Sequence, residues 1–219
     1  MKDKILITGA AGFIGSHLTE MMTKKGFKVV AFDRYNSNND HGWLNSSQYK
    51  KDFEVILGDI RDYDSVNKAV KGCKGVLHLA ALVGIPYSYF SPLAYVKTNI
   101  EGTYNLLEAS KNNNVENIII TSTSEVYWTA LYTPIDEKHP LQAQSPYSAS
   151  KIASEAISMS FFNSFDLPLT IVRPFNTYGP RMLQNDGRVV SNLIMQGLKN
   201  ESMTLYGNCL LYTSPSPRD

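Results

Sequence analysis

Short apolar runs alternate with helix-length segments along nearly the whole chain, and three glycines join the first such pair. Lys4–Thr8 reads as a buried strand and Phe13–Lys25 as a helix, with Thr8-Gly-Ala-Ala-Gly-Phe-Ile-Gly15 between them. Gly9, Gly12 and Gly15 permit a tight turn, close approach of backbone to a pyrophosphate, and close packing of helix on strand. The helix N-terminus at Phe13 and Ile14 then faces the phosphates. The spacing is G-x-x-G-x-x-G rather than G-x-G-x-x-G, so the flanking strand and helix are what set it apart from an ordinary glycine-rich turn.

The alternation continues downstream. Strands are expected at Lys28–Asp33, Glu54–Leu57, Gly75–Leu79, Asn117–Ser122 and Leu169–Arg173. Helices are expected at Asp62–Lys71, with Asp62 as N-cap, at Leu93–Asn112 beyond Ser91-Pro92, at Tyr147–Phe165, and at Val189–Lys199. Tyr35–Ser47 and Trp128–Pro146 read as loops. Such a pattern implies a parallel sheet with crossover helices on both faces: a doubly wound, Rossmann-type α/β fold.

Asp33 ends the second strand. A carboxylate there accepts the ribose hydroxyls and repels a 2′-phosphate, which favours NAD. Arg34 beside it is able to pair with a 2′-phosphate, which keeps NADP open. Asp59 and Ile60, after the third strand, are candidates for the adenine edge.

The bulk numbers narrow the class. The chain has 219 residues, 43% of them hydrophobic, and a net charge of +1. That charge offers no electrostatic case for nucleic acid or an anionic membrane. No apolar run approaches a membrane span, and Cys73 and Cys209 give neither a disulfide framework nor a metal-ligand spacing. The expected setting is cytoplasmic.

Chemistry enters with Tyr147-Ser-Ala-Ser-Lys151. Tyr and Lys four apart share one helix face, and an ammonium beside a phenol favours the phenolate. Such a tyrosine exchanges a proton with a sugar hydroxyl while hydride moves to a nicotinamide. Alone, the pair is as readily a solvated helix face; the glycine loop upstream is what gives it meaning.

Together with Gly58-Asp-Ile-Arg-Asp62, His78-Leu-Ala-Ala81, Thr121-Ser-Thr-Ser-Glu-Val-Tyr127 and Arg173-Pro-Phe-Asn-Thr-Tyr-Gly-Pro-Arg181, these stretches make the chain resemble the extended short-chain dehydrogenase/reductases. The likeness is to the NAD-dependent sugar-nucleotide epimerases and dehydratases. It implies that Leu79, Ala80 and Ala81 line the cofactor cleft and that Asn99 lies on the nicotinamide side. It also implies that Thr123 and Tyr147 share the carbon-4 hydroxyl of a nucleotide-linked hexose, and that Lys151 also touches the nicotinamide ribose. His78 reads as a packed strand-end residue. Ser124 and Glu125 resemble the 4,6-dehydratases, where Glu takes the carbon-5 proton; UDP-glucuronate decarboxylases carry the same Thr-Ser-Glu-Val-Tyr.

The segments around Ile85–Tyr89 and Pro134–Tyr147 favour the dehydratase of UDP-N-acetylglucosamine type. Asp186–Asn192 and Leu205–Gly207 look more like decarboxylases and related glucose dehydratases. Asn176, Arg181 and Arg188 are the substrate candidates, the arginines as diphosphate donors, while Arg173 is expected to pack at its strand end. Trp128 stands where relatives carry glycine. A 4-epimerase, or a non-catalytic NAD-binding protein on the same fold, remains the alternative. Partners are a nucleotide sugar and, by resemblance, a second copy of the chain through the Leu93–Asn112 and Tyr147–Phe165 helices.

The expected organisation is an NAD-binding domain over residues 1–175 and the start of a substrate-binding region over 176–208. Most of that smaller C-terminal domain is expected to be missing. Residues 209–219 read as a non-native tail, since Cys209–Asp219 matches nothing in the family and is encodable by a sequencing-library adapter. Such a chain is expected to keep the NAD site with little turnover.

Overall fold

The computed structural model describes residues 2–184 and 189–204. The expected contacts of Arg188 and the Cys209–Asp219 tail lie outside the described residues. The chain divides into two compact units, Met1–Thr177 and Tyr178–Asp219.

The first unit is built on six parallel strands: β1 (Lys4–Thr8), β2 (Lys28–Arg34), β3 (Phe53–Gly58), β4 (Gly75–His78), β5 (Asn117–Thr121) and β6 (Leu169–Val172). Their spatial order is β3-β2-β1-β4-β5-β6. The order reverses between β1 and β4, and in doubly wound sheets a ligand crevice opens beyond the strand ends at such a point. Thr8 pairs there with Phe32 on one side and His78 on the other.

Helix α1 (Phe13–Lys24) follows β1, and α2 (Tyr63–Val70) follows β3 with Asp62 as its N-cap, its carboxylate accepting from the Asp64 N–H. The larger core gathers Leu6, Val30, Val76 and Ile118 from the sheet with Leu106 and Leu107 from a later helix. A smaller one under α1 gathers Ile5, Ile7, Val29 and Leu44. Leu44 belongs to a 3₁₀ turn, Gly42–Ser46, inside the segment expected to be plain loop. Burying one leucine, with Trp43 N–H donating to the Ala11 carbonyl, is what folds that turn back onto the glycine loop.

The helix expected over Leu93–Asn112 forms as one continuous helical run with a π-helical turn inside it. It comprises α4 (Pro92–Tyr95), the π-helical turn (Val96–Glu101) and α5 (Gly102–Asn112), and a separate short helix α3 (Ile85–Phe90) precedes it. Pro86 and Pro92 each start a helix, and Ser91 adopts an extended φ between them. Helix α6 (Pro146–Phe165) is fastened by a capping box in which Ser145 and Ser148 each bond the other's backbone N–H.

Asn99 sits in the π-helical turn, buried. Its Oδ1 accepts from Leu82 N–H (2.8 Å); its Nδ2 donates to the Leu82 carbonyl (3.0 Å) and to Ser150 Oγ on α6 (2.9 Å). All its amide valences are thus spent inside the protein. No helix among the described residues is long and apolar enough to cross a membrane.

In the second unit α7 (Val189–Leu198) is followed by a cap in which Gln196 bonds both the N–H and the hydroxyl of Thr204.

Asn99→Ala should lower stability by about 2–3 kcal/mol, because it strands the Leu82 groups and Ser150 in a buried setting. Urea unfolding of both chains measures the loss.

Candidate active site

At the switch point the glycine loop approaches β4 too closely for a side chain. Gly9 has φ +68°, and a Cβ there would lie 2.9 Å from Ala80 N; a Cβ at Gly15 would run into the Gly9 carbonyl. Gly15 is buried beneath the loop and Gly12 is exposed on it. A cleft of about 390 Å³ opens above, lined by Gly9, Asp33, Asp59, Ile60, Ala80 and Ala81, among others. Phe13, Ile14 and Leu79 are not in its lining. The Leu79 side chain packs instead into the small core under α1, while its N–H is fixed to Thr8.

Asp33 does more than the sequence suggested. Its Oδ2 accepts from Ala11 N–H (2.6 Å) and its Oδ1 from Arg34 N–H (2.7 Å), so the carboxylate braces the glycine loop. Asp59 is already paired, with Arg61 forked onto both its oxygens. Ile60 packs against α5, which comes close because Gly102 has no Cβ to meet it.

Beneath the cleft runs a chain of buried polar groups. Thr8 Oγ1 accepts from Leu79 and Ala80 N–H (both 3.1 Å), which leaves its proton for His78 Nδ1 (2.8 Å). Thr103 gives its proton to the Asn99 carbonyl (2.6 Å), so it accepts from His78 Nε2 (3.1 Å). The geometry therefore requires neutral His78 with its proton on Nε2. Burial, with the nearby Lys151 charge, pushes its pKa down to about 3. His78 is a structural link, as expected.

On the other side of the sheet end, Thr123 caps a 3₁₀ turn, Ser124–Val126, by accepting from Glu125 N–H (3.2 Å). The Thr123 hydroxyl thereby keeps its proton to donate elsewhere. Glu125 Oε2 accepts from Gln144 Nε2 at 2.5 Å. Gln144 lies just before the N-cap of α6, its N–H held by Ser148 Oγ (2.9 Å), so one anchored residue ties the Glu125 turn to the Tyr147 helix.

Tyr147 is buried, its ring edge-on to Tyr95 at 6.1 Å. Lys151 is buried one turn on, with Nζ donating to the Thr121 carbonyl at 2.7 Å. Desolvation lowers its pKa to about 8, although Glu155 pulls the other way.

Gln144, Arg61 and the Asn99 contacts were not read from the sequence. Polar residues that hold other polar residues carry no periodicity, and only the fold brings them together.

Arg173 packs at the end of β6 as expected. It forms a fork onto buried Glu155 (2.9 and 2.6 Å), donates to Tyr127 Oη (2.8 Å) and lies over the Tyr127 ring. Trp128 has φ 58°, the left-handed region that a glycine takes without strain. Asn176 is exposed beyond β6; Arg181 belongs to the second unit, half-buried with φ 71°.

The family model described as GDP-mannose 4,6 dehydratase matches residues 6–210. The chain belongs to this family of NAD-dependent sugar-nucleotide dehydratases, decarboxylases and epimerases. It is 33% identical over 210 residues to UDP-glucuronic acid decarboxylase 4 of Arabidopsis thaliana, covering 94% of this chain and 46% of that protein. Among solved structures, a UDP-N-acetylglucosamine 4-epimerase from Methanobrevibacter ruminantium superposes with a TM-score of 0.86 at 33% identity, covering 95% of this chain and 67% of that one. The dTDP-glucose 4,6-dehydratase DesIV of Streptomyces venezuelae, a complex with NAD, gives 0.84 at 26% identity, covering 94% and 65%. The chain spans about half the length of the curated relatives it matches.

The Lys151 shift fixes a pH dependence. Its folded value of about 8 lies below the ordinary 10.5, so the fold disfavours the charged form. Stability on this term is full above pH 10.5, falls as pH drops towards 8, and stays lower below that. Lys151→Met removes the penalty, so its stability relative to the parent should be better at pH 7 than at pH 10 by about 2 kcal/mol. Urea titrations at the two pH values measure it.

Proposed function

We propose that this chain carries the NAD site and the catalytic residues of a sugar-nucleotide 4,6-dehydratase. The observation that carries the reading is Glu125. Its carboxylate stands on the turn capped by Thr123 and is held by Gln144, just before the N-cap of the helix that bears Tyr147. A simple 4-epimerase needs only the Thr123, Tyr147 and Lys151 set; a fixed carboxylate beside it suits removal of a further proton.

The cleft fits a dinucleotide: the glycines leave room for phosphate against backbone, and Asp33 stands where ribose hydroxyls need an acceptor. Gly9, Asp33, Asp59, Ile60, Ala80 and Ala81 would hold the adenosine half, with Tyr147 and Lys151 serving the nicotinamide half. NAD, when bound, supplies the acceptor and later the donor of a hydride.

The chain's own groups handle the protons. Tyr147 takes the proton of the carbon-4 hydroxyl, and Thr123 donates a hydrogen bond to that oxygen. Lys151 supplies a positive charge one helical turn from Tyr147. The resulting 4-keto group acidifies carbon 5, and Glu125 takes its proton. That proton leaves with the carbon-6 hydroxyl as water; carbon 6 would then take back the hydride and carbon 5 the proton held by Tyr147, so the sugar loses one water with no net change of electrons. Gln144 keeps the carboxylate aimed without adding charge. Asn176 is proposed as a substrate residue, and Arg181 and Arg188 as diphosphate donors.

The partner we propose is a second copy, across the exposed Leu93, Val96 and Tyr104 and the exposed Met159, Phe162 and Phe165 of α6. The second enzymatic reading is a UDP-glucuronate decarboxylase, favoured by the 33% identity to such a protein.

In a full-length protein containing this sequence, Tyr147→Phe should abolish oxidation at carbon 4. Glu125→Gln should spare that oxidation and slow elimination by roughly 10²–10⁴. Single-turnover NADH absorbance and solvent deuterium at carbon 5 separate the two steps; elimination at the parent rate in Glu125→Gln would place the base elsewhere.

A panel of sugar nucleotides separates the two readings. A neutral UDP-hexose such as UDP-N-acetylglucosamine should give a 4-keto-6-deoxy sugar with no gas. Release of carbon dioxide from UDP-glucuronate, without turnover of neutral hexoses, would instead identify the decarboxylase.

A further inference from the structure

Asp33 is not the sole charge at the adenosine end of the cleft. Arg34, Asp59 and Arg61 line the same space. Arg61 is held flat against Asp59: Nε donates to Oδ1 (2.9 Å), Nη2 to Oδ2 (2.5 Å), and the Arg61 backbone N–H to Oδ1 again (2.9 Å). The pairing holds the Asp59 carboxyl below its usual range, with the Arg34 charge adding to the effect. Glu101, at the end of the π-helical turn, acts on the same guanidinium. In the lining, Asp33 and Asp59 stand with Arg34 and Arg61, and Glu101 adds a third carboxylate from outside it.

That arrangement bears on cofactor choice. NADP differs from NAD by a 2′-phosphate, which carries close to two negative charges at neutral pH. A site that accepts it supplies arginine; a site that rejects it supplies carboxylate. This cleft has two arginines, enough for a phosphate, yet one of them is bound in a fork-on-fork pair that a phosphate would have to break. The other, Arg34, follows a carboxylate already built into the glycine loop.

We propose that Asp59, by holding Arg61, is a second determinant of NAD over NADP in addition to Asp33. The inference rests on the reading of the cleft as a dinucleotide site. A purely structural part for the pair is the rival. The turn after β3 is also fastened by the Asp59 carbonyl, which accepts from Asp62 N–H (3.0 Å), and a side-chain change leaves that bond in place.

Asp59→Asn is the direct test, because the amide keeps the size and an acceptor oxygen while losing the charge that neutralises Arg61. Asp33 is a poor choice, since its loss also frees the Ala11 N–H. The full chain and its variants are titrated with NAD and with NADP at one fixed ionic strength, binding being read by calorimetry, so turnover is not needed. Asp59→Asn should shift the ratio of NADP to NAD affinity about tenfold towards NADP, the effect of one new charge-assisted hydrogen bond, since any loss at the adenine edge falls on both cofactors alike. Adding Arg61→Gln to Asp59→Asn should return that ratio to its parent value. Arg61→Gln alone should move neither cofactor beyond about threefold, because its charge is already cancelled.

An unchanged ratio of NADP to NAD affinity in Asp59→Asn overturns the proposal. So does a gain that survives in the double variant, which would trace it to lost repulsion instead of a released arginine. Weaker NADP binding in Arg61→Gln alone overturns it as well, and that variant stands independently if Asp59→Asn fails to fold. A parent chain that binds neither cofactor would sink the dinucleotide reading and the proposal with it.

Discussion

The Asn99 side chain is the joint on which the cleft and the helix bearing Tyr147 both depend. Through Leu82 it fixes the loop that follows β4, and through Ser150 it fixes α6 one turn from Tyr147. The carbonyl of the same residue takes the protons of Thr103 and Ser154, so the joint reaches His78, Thr8 and the N–H groups of Leu79 and Ala80. Every one of these groups is buried or half-buried, and each has a partner. In a low-dielectric setting a satisfied network of that kind is rigid, because opening any one bond strands two polar groups. The π-helical turn carries both Thr98, which lines the cleft, and Asn99, which turns inward to α6.

Charge is handled differently on the two sides of the sheet end. Lys151 is buried with one carbonyl and no close counter-ion fork, and its pKa falls to about 8. Arg173 is paired in full with buried Glu155 and lies on Tyr127. A paired, hydrogen-bonded ion inside a protein is tolerated, whereas an unpaired one tends to lose its proton. The contrast sorts the two cations by role: Arg173 locks the Glu125–Tyr127 turn to α6 and β6, and Lys151 is the one left with a proton equilibrium near neutrality. Tying Glu125 to Gln144 follows the same logic, since a neutral donor orients a carboxylate without competing for its charge.

Much of the frame was legible in the residues. Ile5-Leu6-Ile7, Ile118-Ile119-Ile120 and the glycines between β1 and α1 announced a parallel sheet with a nucleotide turn, and Asp62 announced the start of α2. Strand limits fell within a residue or so, because buried parallel strands are continuous apolar runs. The Leu93–Asn112 helix was legible as a single helical run, but the π-helical turn within it was not, since local periodicity is blind to one. Of the candidate site, Tyr147 and Lys151 stood out by type and spacing, and Thr123 and Glu125 through the family resemblance. Gln144, Arg61 and the brace from Asp33 to Ala11 did not, since each matters through a partner far away in sequence. Leu79 was misplaced for a related reason: side chains alternate across a strand end, so Leu79 points into the core under α1 while its neighbour Ala80 lines the cleft.

The Leu82 amide reports on the joint most directly, because it lies in a loop yet donates to Asn99 Oδ1. Native-state hydrogen exchange should show it protected to the level of the β1 and β4 amides, opening only with global unfolding, as a residue of the rigid seam must. Exchange of Leu82 at the rate of the exposed loop amides, with the sheet still protected, would contradict a load-sharing Asn99 and leave the cleft and the Tyr147 helix independently held.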